Sequence, residues 1–321
     1  MPRWKDIMAA TPLRWLTTAA LALALVGTAA CGNSDPLSSG GSCDSKDPNK
    51  IAVGSADFPE SSTIAFIYAE ALRNNGFDVV VKPNIGSREA YVPAVEDCSI
   101  DLIPDYTGNL LRYLNKDATA TSSADVDKAL TEALGDSLAI STPAPAEDKD
   151  AVVVTKDTAD RWKLTSIADL ASHSAEVKFG APGEFQKRPV GLPGLKANYG
   201  LDILPDNFVP IEGGGPATAN ELNSGAITAA NIFTTSPAIK KYNFVVLADP
   251  KNNFPAQNVV PLFRADKRSD KLVKVLDAVS AKLTTDDLIA LNDSVSGDAK
   301  VETSAAAQQW VADHGLKTPV G

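Results

Sequence analysis

Histidine and cysteine are scarce, with two histidines and three cysteines in 321 residues. A zinc site takes about four ligands, mostly of these two types. His173 and His314 stand far apart, so each reads as a surface residue and no metal is expected. The Gly-x-Ser-x-Gly elbow, the phosphate loop ending in Gly-Lys-Ser/Thr and the Rossmann fingerprint are missing as well. Gly213-Gly-Gly215 is followed by Pro216, not Lys-Ser, and reads as a helix start whose amides could hold an anion. Carboxylates are plentiful, but no pair is set apart as an acid–base couple. The chain is therefore expected not to be an enzyme and to need no cofactor. An excess of basic charge is also lacking, since the net charge is −10. Nucleic-acid binding relies on basic patches that neutralise phosphates, so that class is excluded; acidity mainly aids solubility.

A long apolar run is lacking too. Trp15 to Ala30 is apolar but short for a membrane span, which takes roughly 20 residues. It follows Arg3, Lys5 and Arg14 and ends in the small residues Thr28-Ala29-Ala30 before Cys31. Residues 1–30 have the shape of a secretory signal. Small residues directly before a cysteine resemble a bacterial lipoprotein processing site, although Thr28 stands where Leu or Val is usual. The resemblance implies a lipidated Cys31, tied to the outer face of the bacterial cytoplasmic membrane; plain secretion and an uncleaved anchor are the alternatives. Residues 31–47, rich in Gly, Ser, Asp and Pro, read as a flexible tether. Outside the cytoplasm the two remaining cysteines, Cys43 and Cys98, are expected to pair. That bridge would contribute about 4 kcal/mol in the chain-entropy picture; the alternative is a buried free thiol at Cys98.

At 44% hydrophobic and 22% charged, the rest has a globular composition and is long enough for two domains. It is organised around Ile100-Asp-Leu-Ile-Pro-Asp-Tyr-Thr-Gly-Asn109. Ile100 to Ile103 reads as a buried strand ended by Pro104 and Gly108. Asp105, Tyr106, Thr107 and Asn109 would then lie at a strand's carboxyl end, where open α/β sheets bind ligands. The pattern recurs. Ile100 lies fourteen residues after Gly86, and Ile227 fourteen after Gly213; Tyr106-Thr107 then falls over Phe233-Thr234, and Gly54 matches Gly180. Two similar α/β lobes facing each other would form a cleft, a favoured place for a small molecule.

Along the chain, strands are expected at Ile51–Gly54, Phe77–Lys82, Ala151–Thr155, Glu176–Gly180 and Asn258–Phe263. Helices are expected from Ser61 or Ser62 to Asn75, from Ser87 to Asp97, over Asp125–Leu134 and from Ser166. Three more follow, near Asp270–Leu283, Thr285–Asp293 and Ser304–His314. Strand–helix alternation implies largely parallel sheets. Ser141–Ala146 and Asp249–Ala256 read as extended, Pro-stiffened connections around a central insert. They divide the chain into a discontinuous lobe, 48–147 plus 250–321, and a second lobe, 148–249, with a hinge between them.

Several runs together carry a family resemblance: Val53–Phe58, Gly86–Glu89, Ile100–Gly108, Gly180–Arg188, Gly191–Leu195, Ile232–Thr235 and Phe254–Asn258. They resemble the substrate-binding proteins of osmoprotectant (glycine betaine/carnitine/choline) ABC transporters, the ProX/OpuC-like group. The resemblance covers about 48–265 well and the carboxyl-terminal helices loosely. It implies a type II periplasmic-binding-protein fold with two α/β lobes and an interlobe ligand cleft. It also implies delivery of a quaternary amine or other polar compound to an ABC permease driven by an ATPase. Aromatic faces would hold the ammonium, at up to about 2 kcal/mol per desolvated contact, and a cationic side chain would hold a carboxylate.

Residue by residue, the resemblance makes Tyr106 a cage tyrosine and Arg188 the carboxylate grip. It places Phe233 at an aromatic position, Asn109 where a small hydroxyl residue often donates, and Asp148 at an acidic position near the lobe crossing. A cage reduced to Tyr106 and Phe233 would be helped by Phe58 or Tyr91, and Ser87 is a further candidate ligand-binding residue. The chain departs from the pattern at Ala56, where many relatives carry Lys, and at Gln257, where a cage tyrosine would stand. A reduced cage leaves open a different polar or aromatic solute. A secreted small-molecule enzyme and a surface adhesion or scaffold protein on the same fold are rivals of other classes.

Overall fold

Two five-stranded sheets carry the chain. The structure, a computed structural model, describes residues 47–211 and 215–320. The expected signal segment 1–30, Cys31, Cys43 and the pair Gly213-Gly214 lie outside the described residues. In chain order the first elements are β1 (Lys50–Gly54), α1 (Pro59–Asn74), β2 (Asp78–Lys82), α2 (Arg88–Glu96), β3 (Leu102–Tyr106), α3 (Thr107–Leu114), α4 (Ser123–Ala133) and β4 (Leu138–Ile140). Next come β5 (Asp150–Val154), α5 (Lys156–Trp162), α6 (Ile167–Ala171), β6 (Phe179–Ala181), α7 (Leu192–Tyr199), β7 (Phe208–Pro210), α8 (Pro216–Ser224), β8 (Ala229–Phe233), α9 (Ala238–Lys241) and β9 (Val245–Val246). The chain then returns through β10 (Val259–Arg264), α10 (Asp270–Ser280), α11 (Thr285–Ser296) and α12 (Thr303–Asp313).

The sheets have strand orders β2-β1-β3-β10-β4 and β7-β6-β8-β5-β9. They match position by position. The first three strands of each pair in parallel, and the fourth runs antiparallel to both its neighbours. The doubling read from the sequence is therefore present in the topology, and one detail repeats at atomic scale. A Cβ on Gly54 would lie 2.6 Å from Ile100 Cδ1 and 2.7 Å from Ile85 Cδ1; one on Gly180 would lie 2.4 Å from Ile227 Cδ1 and 3.1 Å from Ile211 Cδ1. Each glycine is required because two isoleucines close over the strand at the same place.

Apolar side chains cover both faces of each sheet. Around the first sheet, Ile64, Ile67, Tyr68 and Leu72 of α1 pack with Leu276 of α10, Leu288 of α11 and Trp310 of α12. The opposite face buries Val92, Val95, Leu110, Leu111, Val126 and Leu130 of α2, α3 and α4. The second sheet has α5, α6 and α7 with Phe179, Phe185 and Phe254 on one face, and Ala219, Leu222 and Phe244 on the other. Each such aliphatic or aromatic side chain contributes about 1.5–3 kcal/mol when fully buried.

Three local expectations are corrected. β3 starts at Leu102 and runs through Pro104 to Tyr106, so Pro104 does not end it. Pro104 lies opposite Pro261 of antiparallel β10. In a non-hydrogen-bonded pair both N–H positions point outward. Here the outward neighbours have already ended: β1 meets β3 at Leu102, and the β4 ladder reaches only Leu262. Neither proline therefore breaks a bond. Second, Ser61 and Ser62 do not cap α1, because Pro59 at its first turn starts the helix earlier. Their hydroxyls instead fix the β1 exit, Ser61 Oγ accepting from Ala56 N at 2.9 Å and Ser62 Oγ meeting Ser55 Oγ at 3.0 Å. Third, Ser87 is the N-cap residue of α2, but its hydroxyl bonds Glu89 Oε2 at 2.7 Å and caps no amide.

Gly108 sits in the first turn of α3, where a Cβ would lie 2.4 Å from the Ala256 carbonyl oxygen and 2.7 Å from Pro255 Cγ. The nearer contact is backbone and cannot swing aside. Gly108→Ala should cost about 1–3 kcal/mol in urea unfolding; an unchanged midpoint would mean that this approach is looser than it looks.

Candidate functional site

The carboxyl ends of β3 and β8 face a common space. A cavity of about 90 Å³ lies there, lined from both sheets by Phe58, Tyr106 and Asn109 on one side and Asp150, Asn231 and Phe233 on the other. Of the residues expected from sequence, Tyr106, Arg188, Phe233, Asn109, Asp148, Phe58, Tyr91 and Ser87 all line it. Gln257 does not. It is fully buried behind the wall, where its Oε1 accepts from Asn109 N at 2.9 Å and so positions α3. A second cavity of about 290 Å³ shares Phe58 and Phe233 but none of the other expected residues.

The rings form a short stack. Phe58 lies 6.2 Å from Tyr106 at an interplanar angle of 27°, and 5.4 Å from Phe233 at 41°. Phe58 is presented by the turn between β1 and α1, Tyr106 by the end of β3 and Phe233 by the end of β8. The repeat thus supplies two equivalent rings and the β1 exit a third. Tyr106 is aimed by its hydroxyl, which donates to Glu60 Oε1 at 2.6 Å. Burial, then the Glu60 charge, pushes its phenol well above the usual range. Glu60 Oε2 accepts from the Thr235 hydroxyl at 2.6 Å and from Asn292 Nδ2 at 2.5 Å. One carboxylate in the first turn of α1 therefore ties together the end of β3, the segment after β8 and α11.

Charge is distributed unevenly. Arg88 is 6% exposed and Asp105 is 0% exposed; their pair closes at 2.6 Å, with Arg88 Nε 3.2 Å from both carboxylate oxygens. Arg188 reaches Glu89 of α2 at 2.9 Å and Glu184 at 3.3 Å. Burial pushes the Glu89 carboxyl up, but the Arg188 hydrogen bond and charge, with the Ser87 hydroxyl, outweigh it and bring it down to about 2. Both arginines beside the cavity are thus engaged by carboxylates. Asp148 and Asp150 are buried and have no cation within ion-pair distance among the described residues. Asp148 Oδ1 accepts from Thr235 N at 3.1 Å and Thr234 Oγ1 at 3.3 Å. Burial, followed by the Glu60 charge, still pushes its carboxyl well above the usual range. Asp150 Oδ2 accepts from Asn109 Nδ2 at 2.8 Å. Rings from both sheets, together with buried carboxylates that have no cation partner among the described residues, make a site suited to a cation.

Glu60, Glu89, Asp150 and Asn231 escaped the sequence reading. Asn231 carried a signal, because an amide inside the buried run Ala229-Ala-Asn-Ile-Phe233 has no place in a core unless it is used. Asp150 also opens a buried strand. The role of Glu60 depends on partners far along the chain and had no local mark.

Residues 49–313 match the family described as the substrate binding domain of ABC-type glycine betaine transport systems. The chain is 26% identical over 258 residues to the glycine betaine-binding protein YehZ of Escherichia coli, covering 77% of this chain and 85% of that protein. It is 27% identical over 280 residues to a glycine-betaine-binding protein of Pseudomonas aeruginosa, covering 83% and 88%. Its fold superposes on the crystal structure of a glycine betaine/carnitine/choline ABC transporter protein with a TM-score of 0.65 and 20% identity, over 83% of this chain and 99% of the other. With its paired sheets in the periplasmic-binding arrangement, the chain belongs to the family of substrate-binding domains of ABC-type glycine betaine transport systems, whose members bind solutes and are not enzymes.

Proposed function

We propose that this chain is the extracytoplasmic receptor of an ABC importer and takes glycine betaine or a related quaternary-ammonium compatible solute. The observation that carries the reading is the meeting of Phe58, Tyr106 and Phe233 with Asp148 and Asp150, which have no cation partner among the described residues. The ring faces attract an ammonium and the carboxylates supply its counter-charge. The names of the relatives, which bind glycine betaine, point the same way.

The loaded receptor hands its solute to a membrane permease coupled to an ATPase. It is held at the outer face of the bacterial cytoplasmic membrane by lipid on Cys31, and a Cys43–Cys98 bridge pins the tether to the domain. Two lobes, 48–147 with 250–321 and 148–249, close on the solute. Phe254, buried in the second sheet's core, anchors the return connection. A solute that touches both lobes only when they are together favours the closed state by its differential affinity.

Calorimetry with glycine betaine, choline and carnitine tests the site. One saturable event is expected, at least tenfold weaker in Tyr106→Ala, with a smaller radius of gyration in scattering at saturation. Absence of heat with all three solutes would overturn the reading.

A further inference from the structure

We propose that Asn109, Asp150 and Asn231 form a polar end of the cavity that reads a hydroxyl on the ligand. The protein would then select a hydroxylated quaternary ammonium, an amino alcohol, over one ending in a carboxylate. This rests on the cation-binding reading above and narrows it.

Strand register places two of the three groups. β5 and β8 run antiparallel, with Asp150 opposite Phe233 and Val152 opposite Asn231. Opposite residues share a face, as do residues two apart, so Asp150, Asn231 and Phe233 stand on one side of the second sheet. α3 brings Asn109 from the other sheet, its amide nitrogen donating to Asp150 Oδ2 at 2.8 Å. That bond settles how the Asn109 amide lies, since the reverse orientation would set two oxygens against each other. Its Oδ1 is consequently turned away from Asp150, buried and without a hydrogen-bond partner. Asn231 is 1% exposed, and its Nδ2 likewise has no partner. Both residues line the cavity.

An orphaned acceptor and an orphaned donor thus belong to two residues that line one small cavity and both neighbour Asp150. Leaving a buried polar atom unpaired is costly, whereas one ligand group can satisfy both. A hydroxyl donates once and accepts twice, so it can donate a hydrogen bond to Asn109 Oδ1 and accept one from Asn231 Nδ2. A carboxylate can only accept. It would leave Asn109 Oδ1 orphaned and set a negative charge beside Asp150 and Asp148. The arginines that could offset that charge are already held, Arg88 by Asp105 and Arg188 by Glu89 and Glu184.

The test compares three probes on the wild-type protein by calorimetry: choline (2-hydroxyethyl-trimethylammonium), ethyltrimethylammonium, which lacks only the hydroxyl, and glycine betaine. Choline should bind at least tenfold more tightly than either of the others. In Asp150→Asn, which removes charge without changing shape, the preference for choline over glycine betaine should fall to within about threefold. Glycine betaine binding as tightly as choline would overturn the hydroxyl assignment, and so would an unchanged affinity on loss of the hydroxyl; either result would leave the cation site standing. If none of the three binds, the cation-binding reading itself fails and this inference with it.

Discussion

Arg88→Leu should destabilise the fold by about 3–5 kcal/mol, the largest effect expected of any single substitution here. The reason is what the change leaves behind. Asp105 is 0% exposed on β3, paired with Val260 of β10, and its Oδ1 takes both the Arg88 guanidinium and the Tyr106 amide, the latter at 2.7 Å. Without Arg88 the carboxylate must stay charged in the core or take up a proton. The Arg88 side chain also lies over the Tyr91 ring at 5.7 Å, so apolar packing is lost with the charge. Urea unfolding at neutral pH gives the value, read from the midpoint with the slope unchanged. The double variant Arg88→Leu/Asp105→Leu should recover a large part of the loss, since an unpaired charge costs more than a missing pair. A loss under about 1 kcal/mol in the single variant would mean that water reaches Asp105.

The second large effect separates binding from stability. Asp148→Asn should weaken the binding of a quaternary ammonium at least thirtyfold, about 2 kcal/mol, while raising the melting temperature of the empty protein. The sign follows from the direction of the shift. Burial, then Glu60, raises the Asp148 carboxyl pKa in the folded state. The folded chain therefore holds this proton more tightly than the unfolded chain, where a carboxyl titrates near 3.9. Folding stability associated with Asp148 is complete below the unfolded value and declines as pH rises through the folded one. Asparagine keeps the hydrogen bonds from Thr235 and Thr234 to the remaining oxygen and has no proton to lose. A cation in the cavity favours the ionised carboxylate, so wild-type affinity should rise with pH over the same window and binding should release protons. Calorimetry in two buffers of different ionisation enthalpy measures that release. Equal apparent enthalpies in both buffers, with unaltered affinity in the variant, would remove Asp148 from the site.

Much of this architecture can be read from local pattern because the chain states it twice. Gly54 with Ile100 and Gly180 with Ile227 recur at matched positions, and so do the strand ends at Tyr106 and Phe233. A repeated local rule is visible without coordinates. Ser61 and Ser62 misled because either serine can start a helix, and only the earlier Pro59 decides between them. The strand through Pro104 was hidden because its tolerance depends on where β1 and β4 stop, which is a property of neighbours. The same distinction governs the site. Tyr106, Arg188, Phe233 and Asp148 carry family pattern in their own sequence surroundings. Asp150 and Asn231 become partners only through antiparallel register. Glu60 acquires its role from Tyr106, Thr235 and Asn292, which arrive from three separate parts of the chain.

The helix that carries Glu60 in its first turn has a further consequence for biogenesis. The buried side of α1 rests largely on α12, and Asn74 and Asn75 bond the chain just beyond it, at Leu316 O and Val320 N. More than two hundred residues separate these partners, so their docking belongs to the slow, non-local class of folding events. A nascent polypeptide emerging residue by residue cannot seat α1 until the segment carrying Trp310 has been made. The pocket that Glu60 orders is therefore completed late, after most of the polypeptide is already in place.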